Sequence, residues 1–336
     1  MGSLMSNFDS RKRVAVIGAG LAGLSCATQL QANGFQVQLF EKSHGPSGRM
    51  STRNGDGWSA DHGAQYFTAR EPLFVQELNA WISAGVAGAW HPSLKVFEAN
   101  QWRDGSLMES RYVGIPGMSS PGKYLAKNLS IEFNQTIDQI SYQNNQWFLH
   151  SSETGNVESQ FDLLVIALPA SQAFILTKSV DQTIEGSISP FSMLGCLTVM
   201  ALFSEKPIVS FDAAFVNDEI VSWVSKNNSK PGRTGQESWT IQANPQWSQE
   251  WIELDKEEAC KRILECAKKL GFDFHNAEIS VHRWRYASGA ISPSPEFSFF
   301  KNMNLGLCGD WLHGGRVEGA WLSGYKLANK IKMQAI

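Results

Sequence analysis

An apolar run, Val14-Ala15-Val16-Ile17, breaks into Gly18-Ala19-Gly20-Leu21-Ala22-Gly23 and resumes as a helix-compatible pattern through Leu30. Strand, tight turn and helix in immediate succession constrain this chain more than any other feature. Gly18 permits the turn, Gly20 lets a pyrophosphate approach the backbone, and Gly23 allows close packing of helix on strand. Unpaired N–H groups at the helix start attract phosphate. A second run, Gln36-Val37-Gln38-Leu39-Phe40, ends in Glu41, an acid placed where a ribose hydroxyl needs an acceptor. The pair of runs predicts half of a Rossmann-type unit with a dinucleotide at its turn.

Beyond Glu41, residues 42–52 form a loop punctuated by Gly and Pro that ends in Gly48-Arg49-Met50 and hydroxyl residues. Arg49 offers a permanent cation and planar donors to a pyrophosphate, whereas Lys42 lies over the adenosine end or faces solvent. The stretch Asp61-His62-Gly63-Ala64-Gln65-Tyr66-Phe67-Thr68 mixes small residues with polar groups able to address a heterocycle. Gln65 and Tyr66 are its cofactor-site candidates, and His62 reads as a structural histidine.

Residues 117–129 read as a capped helix, followed by a small β-meander around Ile131-Phe133, Ile137-Tyr142 and Trp147-His150. Residues 161–169 are almost continuously apolar and end in Pro169, as expected of a buried parallel strand rejoining the nucleotide sheet. The stretch from 170 to 299 mixes strands with a helix near 256–270. Within it, alternation along His282-Arg283-Trp284-Arg285-Tyr286-Ala287 puts His282, Trp284 and Tyr286 on one face. That face meets substrate, or it is a half-buried sheet whose Arg283 and Arg285 meet water; the residues leave both readings open.

The chain closes with a short strand ending in Gly309-Asp310, then Gly315-Arg316-Val317-Glu318-Gly319-Ala320 opening an apolar helix. An Asp at a strand end accepts hydrogen bonds from a polyol chain, and helix-start N–H groups near Gly319 and Ala320 suit a ring that becomes anionic on reduction. This favours a flavin over a nicotinamide as the resident group.

With 336 residues, 43% of them hydrophobic, the chain is long enough for two domains. The expected class is α/β, a discontinuous Rossmann-type FAD-binding domain (1–70, 114–172 and 300–336) with an inserted α+β substrate domain (71–113 and 173–299) on a mostly antiparallel sheet. A net charge of −3 gives no electrostatic footprint for nucleic acid. Five scattered cysteines without C-x-x-C spacing read as reduced thiols, and no clustered ligands suggest a metal. No apolar run approaches the ~20 residues that span a bilayer. No signal peptide is evident, so a cytoplasmic protein is expected. Residues 1–12 read as a disordered lead-in.

Taken together, GAGLAG at 18–23, EK at 41–42, GRMST at 48–52, DHGAQYFT at 61–68, HRWRYA at 282–287 and GRVEGAWLSG near the end carry a resemblance. The chain resembles the renalase-like, bacterial-type branch of the flavin-containing amine oxidase superfamily of FAD-dependent oxidoreductases. The resemblance implies noncovalent FAD, since no Ser-Gly-Gly-Cys-Tyr segment is present. It places the pyrophosphate on Gly18, Gly20, Leu21, Ala22 and Gly23, the adenosine ribose on Glu41, and the pyrophosphate and flavin side on Arg49 with Met50 beside it. Gln65 and Tyr66 then surround the isoalloxazine, Asp310 holds the ribityl part, and Val317, Glu318, Gly319 and Ala320 complete the seat.

The implied reaction oxidises 2- or 6-dihydro isomers of NAD(P)H to NAD(P)+, with hydride passing to flavin N5 and dioxygen restoring the flavin as hydrogen peroxide forms. His282, Trp284 and Tyr286 would shape the ring-binding face, with Arg283 or Arg285 available for substrate phosphate if directed inward. Ser47 departs from the family pattern, where a second Gly is frequent, and so does His62, where an apolar residue is common. Oxidation of a small amine is the first alternative function. The second is an FAD-binding regulatory protein without turnover.

Overall fold

Strand Arg13–Ile17 buries its four residues after Arg13, and the glycine turn leads into helix Leu21–Ala32 and strand Gln36–Glu41. The protein is seen here in a computed structural model that describes residues 12–106, 108–178, 180–188, 191–289 and 295–335. The expected lead-in lies outside the described residues but for Lys12. Gly18 takes φ +101°, and a Cβ on Gly23 would stand 2.0 Å from the Gly18 carbonyl oxygen. Neither position accepts a side chain without distortion.

A six-stranded sheet runs in the order Ser298–Phe300, Leu305–Leu307, Leu163–Ile166, Arg13–Ile17, Gln36–Glu41, Ser130–Phe133. Every adjacent pair is parallel except the outermost one, Ser298–Phe300 with Leu305–Leu307. Arg13–Ile17 has later strands on both sides, so the strand order reverses there and the glycine turn sits at the carboxyl end of the switch point, the usual ligand site of open parallel sheets. Val14 and Val16 face a core shared with Leu24, Leu30 and Leu327 of the first and last helices. Ala15 and Ile17 face the opposite core, with Trp147, Leu149 and Ala173.

One strand departs from expectation. Ser130–Phe133 is not part of the meander but pairs in parallel with Gln36–Glu41 as the sheet's edge. Its alternating exposure is what an edge strand with one wet face shows, and a hairpin strand shows the same alternation. The antiparallel three-stranded sheet consists of Ile137–Gln143, Gln146–Ser151 and Gly155–Asn156.

The second large sheet has seven strands, in the order Ala277–Gly289, Met193–Phe203, Glu237–Ala243, Val221–Lys226, Ala213–Asn217, Leu94–Glu98, Gln101–Asp104. It is antiparallel apart from the pairing of Ala213–Asn217 with Leu94–Glu98. Helix Lys256–Lys268 covers one side, burying Ala259, Ile263 and Ala267 against Leu197, Val199 and Ile241. Helix Pro72–Ser83, although it lies between nucleotide-sheet and second-sheet segments, packs Phe74, Leu78 and Trp81 with Leu24, Leu30 and Trp321 in the nucleotide core. Residues 71–113 are thereby shared between two cores. The architecture is a Rossmann-type α/β unit with a mostly antiparallel second sheet, as read from the sequence. Among the described residues no helix is long and apolar enough to cross a membrane.

Candidate functional site

The glycine turn presents an anion seat. Gly20 is the N-cap of helix Leu21–Ala32 with no side-chain cap, and no acidic residue occupies the first turn. The first amides of a helix have no intrahelical acceptor, so those of Leu21, Ala22 and Gly23 and the helix dipole face outward together. A Cβ on Gly20 would meet nothing within 4 Å, which is open approach for a phosphate. The buried Glu41 carboxylate accepts from the Ala19 amide at 2.8 Å and the Ser43 amide at 2.9 Å, leaving lone pairs for a ribose diol. Lys42 is exposed.

The following loop folds back onto the turn, with the Ser47 amide donating to Ala19 O at 2.9 Å. Ser47 sits at φ +95°, in the left-handed region that glycine favours, so a Gly at this position would relieve strain of about 1–2 kcal/mol. Its Oγ donates to Ser119 O at 2.8 Å, a compensation glycine lacks.

Arg49 and Asp310 meet directly. Nη1 donates to Asp310 Oδ2 at 2.9 Å and Nη2 to Oδ1 at 2.5 Å, while Nη1 also donates to Ala287 O at 3.0 Å. This bidentate pair joins the loop to the carboxyl end of Leu305–Leu307 and to the strand that carries Trp284. Met50 is buried in the nucleotide core, and Val317 and Ala320 pack against it. The Glu318 side chain caps a helix start. Its Oε1 accepts the Arg70 and Glu71 amides at 2.6 and 2.7 Å, satisfying the start of helix Pro72–Ser83. A Cβ on Gly319 would stand 1.8 Å from His313 O, so this turn too is closed to side chains.

The turn 61–65 hangs on a buried network that the sequence reading did not reach. Asp61, fully buried, binds Lys230 Nζ at 3.0 Å and Arg233 Nη2 at 2.6 Å through Oδ2. Its Oδ1 accepts from Thr52 Oγ1 and the Met118 amide. Burial alone would raise the Asp61 pKa, but Lys230, Arg233 and these hydrogen bonds hold it at about 2. Burial pushes Lys230 down from its ordinary value, opposed by Asp61.

Three successive carbonyls of the turn, those of Asp61, His62 and Gly63, are then taken by side chains. Thr240 Oγ1 and Gln65 Nε2 donate to Asp61 O, Trp284 Nε1 to His62 O, and Gln242 Nε2 and Gln65 Nε2 to Gly63 O. Gln65 Oε1 accepts from Ser225 Oγ and Lys230 Nζ. The Gln65 side chain therefore has no donor left for a flavin; it positions the turn. Tyr66 packs against Trp90 and Trp223 with the Arg111 guanidinium 5.3 Å from its ring centre. The sequence signal for this network was the row of polar residues Ser238, Thr240 and Gln242 at alternate positions of one strand.

Beside the turn lies an aromatic face. His62 stacks on Trp284 with ring centres 5.3 Å apart at 21°, and His282 stands 4.3 Å from Trp284 and 4.7 Å from His62. Burial, then the charge of Arg53, lowers the His62 pKa to about 4. Burial, then His62 and Arg53, does the same for His282. Both rings are neutral at physiological pH. His62 Nδ1 is a buried polar atom without a partner among the described residues.

His282 and Trp284 share the predicted face, but Tyr286 leaves it. Opposite the three residues Leu194 to Cys196 the strand runs through five, from Trp284 to Ser288, a bulge directly after Trp284. Tyr286 falls inside the bulge and packs against the core of Ile17, Leu307 and Leu312. Arg283 and Arg285 are directed outward. Arg285 pairs with Glu253 at 2.7 and 3.0 Å, and Arg283 Nη2 donates to Leu254 O at 2.8 Å. The expectation that either meets substrate phosphate required an inward direction that neither has. A groove of about 730 Å³ between helix Lys256–Lys268 and this strand is lined by Ile279 and Val281, which alternate with His282 and so belong to the opposite face.

Residues 16–78 match the NAD(P)-binding Rossmann-like domain family, and residues 75–332 match the family described as flavin containing amine oxidoreductase. Among curated proteins, the zeta-carotene-forming phytoene desaturase of Myxococcus xanthus is 44% identical over 59 residues, 18% of this chain and 11% of that protein. The 4,4'-diapolycopene oxygenase of Methylomonas sp is 44% identical over 107 residues, 31% of this chain and 20% of the relative. The chain thus matches a fifth or less of these relatives' lengths. Cyclohexylamine oxidase from Brevibacterium oxydans IH-35A superposes with a TM-score of 0.76 at 12% identity, covering 97% of this chain and 99% of that one. A structure of putrescine oxidase bound to putrescine gives 0.73 at 14% identity over 96% and 99%. Such identities establish a common fold.

Proposed function

This chain belongs to the flavin containing amine oxidoreductase family and is an FAD-dependent oxidoreductase, and from that premise we propose that it is a renalase-like oxidase of isomeric dihydronicotinamide dinucleotides. The seat fits FAD. The uncapped helix start at Gly20 suits the pyrophosphate, Glu41 the adenosine ribose, and the Arg49–Asp310 pair the far end of the cofactor. Bound FAD supplies a two-electron acceptor that dioxygen regenerates with release of hydrogen peroxide. The cofactor is held without a covalent bond; Cys308 is fully buried and in side-chain contact with Cys26.

One observation carries the substrate reading: the aromatic face of His62, His282 and Trp284 is uncharged, with burial and the Arg53 charge holding both imidazoles neutral. The carboxylate nearest His62 is Asp61, and Lys230 and Arg233 already neutralise it. Among the described residues a protonated amine finds no counter-ion there. A planar neutral ring with an anionic tail fits the face well.

Removing a hydride from a 2- or 6-dihydronicotinamide restores an aromatic pyridinium, so the chain's task is orientation, and no general base is needed. The Trp284 indole, fixed by its hydrogen bond to His62 O at 2.7 Å, holds one wall of that orientation. The neutral imidazoles close it to water without adding charge.

Anaerobic mixing of the FAD-loaded protein with the 2- and 6-dihydro isomers of NAD and NADP, and with a panel of primary and secondary amines, tests this. Flavin bleaching by a dihydro isomer is expected. Rapid bleaching by amines alone would establish the amine oxidase reading instead, and loaded protein that no reductant bleaches would favour a regulatory role.

A further inference from the structure

The two arginines expected to meet a substrate phosphate are committed to Glu253 and Leu254 O, which leaves the neutral face without an assigned anion partner. A different arginine stands beside it. Arg53 lies in strand Thr52–Gly55, half-buried, and makes no side-chain hydrogen bond or ion pair among the described residues. Its direction follows from the strand. Thr52 turns to the buried network, where its hydroxyl meets Asp61 at 2.7 Å, so Ser51 and Arg53 share the other side. Ser51 Oγ stands 3.4 Å from His62 Nε2, which places that side against the aromatic face. In keeping with this placement, the Arg53 charge depresses the protonation of both His62 and His282.

A half-buried guanidinium without a counter-ion, next to a neutral stacking surface, is a recognition arrangement for a flat ring that bears an anion. The other cations nearby are occupied or differently placed. Arg49 is held by Asp310, Lys230 and Arg233 are buried on Asp61, and Lys256 is exposed on the neighbouring helix.

We infer that Arg53 is the residue that binds the substrate's phosphate, so that the site selects phosphorylated dihydronicotinamides over their ribosides. This rests on the proposed substrate class, but the anion site itself has a test that does not.

The FAD-loaded protein is given a dihydronicotinamide mononucleotide isomer and the matching riboside, and the ratio of their half-saturating concentrations for flavin bleaching is measured. The wild type should favour the mononucleotide. Arg53→Ala should shrink that preference about tenfold, the worth of one charge-assisted hydrogen bond, and Arg53→Lys should restore most of it. Arg285→Ala, on the outer face, should leave the ratio as it is. If Arg53→Ala weakens both substrates equally, or neither, the inference is wrong and Arg53 is structural or idle.

Calorimetric titration of the same proteins with inorganic pyrophosphate is independent of turnover. The expected result is binding that Arg53→Ala weakens at least tenfold. If the wild type oxidises no dihydronicotinamide yet binds pyrophosphate through Arg53, the substrate reading falls and the anion site stands. Binding that is absent, or equal in both proteins, overturns the anion site.

Discussion

The nucleotide seat and the aromatic face are built on opposite plans. The seat is made of backbone: the glycine turn, the bare helix start and the amides that Glu41 accepts all lie within residues 13–48. The face is made of side chains brought from afar, His62 from the first third of the chain and Trp284 from near its end, 222 residues apart. The seat depends on what is missing, namely side chains at Gly18 and Gly23. The face depends on a buried ion cluster that suspends the turn 61–65 from the second sheet. A binding site of the first kind is rigid and chemically generic, whereas one of the second kind is specific and electrostatically fragile.

Breaking the suspension should do the greatest damage. Asp61→Asn leaves Lys230 and Arg233 buried without their anion, and a loss of about 3–5 kcal/mol of stability is expected in urea unfolding. A loss below about 1 kcal/mol would mean that the cluster does not hold the two units together. Acid should then separate the two regions. His62 has a folded pKa of about 4 against an ordinary 6.5, so as pH falls through that window the unfolded chain gains a proton that the folded one refuses. Stability present above pH 6.5 is lost on the order of 2–3 kcal/mol by pH 4. The variant His62→Phe should remove its share of that loss and leave the share of His282, whose pKa is likewise held at about 4. Asp61, held at about 2, adds its own loss only below its ordinary 3.8.

The seat responds to a different change. Glu41→Gln keeps the shape but removes the charged acceptor, and FAD affinity should fall roughly 10- to 100-fold in an equilibrium titration, with little effect on apoprotein stability. Smallest of all is Arg285→Ala, which cuts an exposed pair with Glu253 and should leave melting temperature and substrate use unchanged.

This contrast also explains what the sequence disclosed. The turn, Glu41 and the buried strand Leu163–Ile166 were legible because local pattern determines them: a glycine suits the positive φ and close carbonyl contact at Gly18, and an apolar run suits a strand covered on both faces. The pairing of His282 with Trp284 followed from alternation. Tyr286 did not, because a bulge carries no mark in the residues themselves. The Glu318 side chain caps a helix nearly 250 residues earlier in the chain, at a separation of 247 from the Glu71 amide, a contact that no local pattern announces. Lys230, Arg233 and Arg53 went unseen since a cation in a polar loop or short hairpin reads as solvated until its surroundings are known. Gln65 reads as a cofactor-site candidate from its place in a polar, small-residue stretch, and that stretch gives no sign that its side-chain donors turn inward to Asp61 O and Gly63 O.

The most direct test of the central claim is product analysis under air. FAD-loaded protein supplied with a 6- or 2-dihydro isomer of NAD(P)H should yield NAD(P)+ and hydrogen peroxide in equal amounts. Peroxide formed with aldehyde and an amine-derived product from an amine substrate, and none from either isomer, would contradict it.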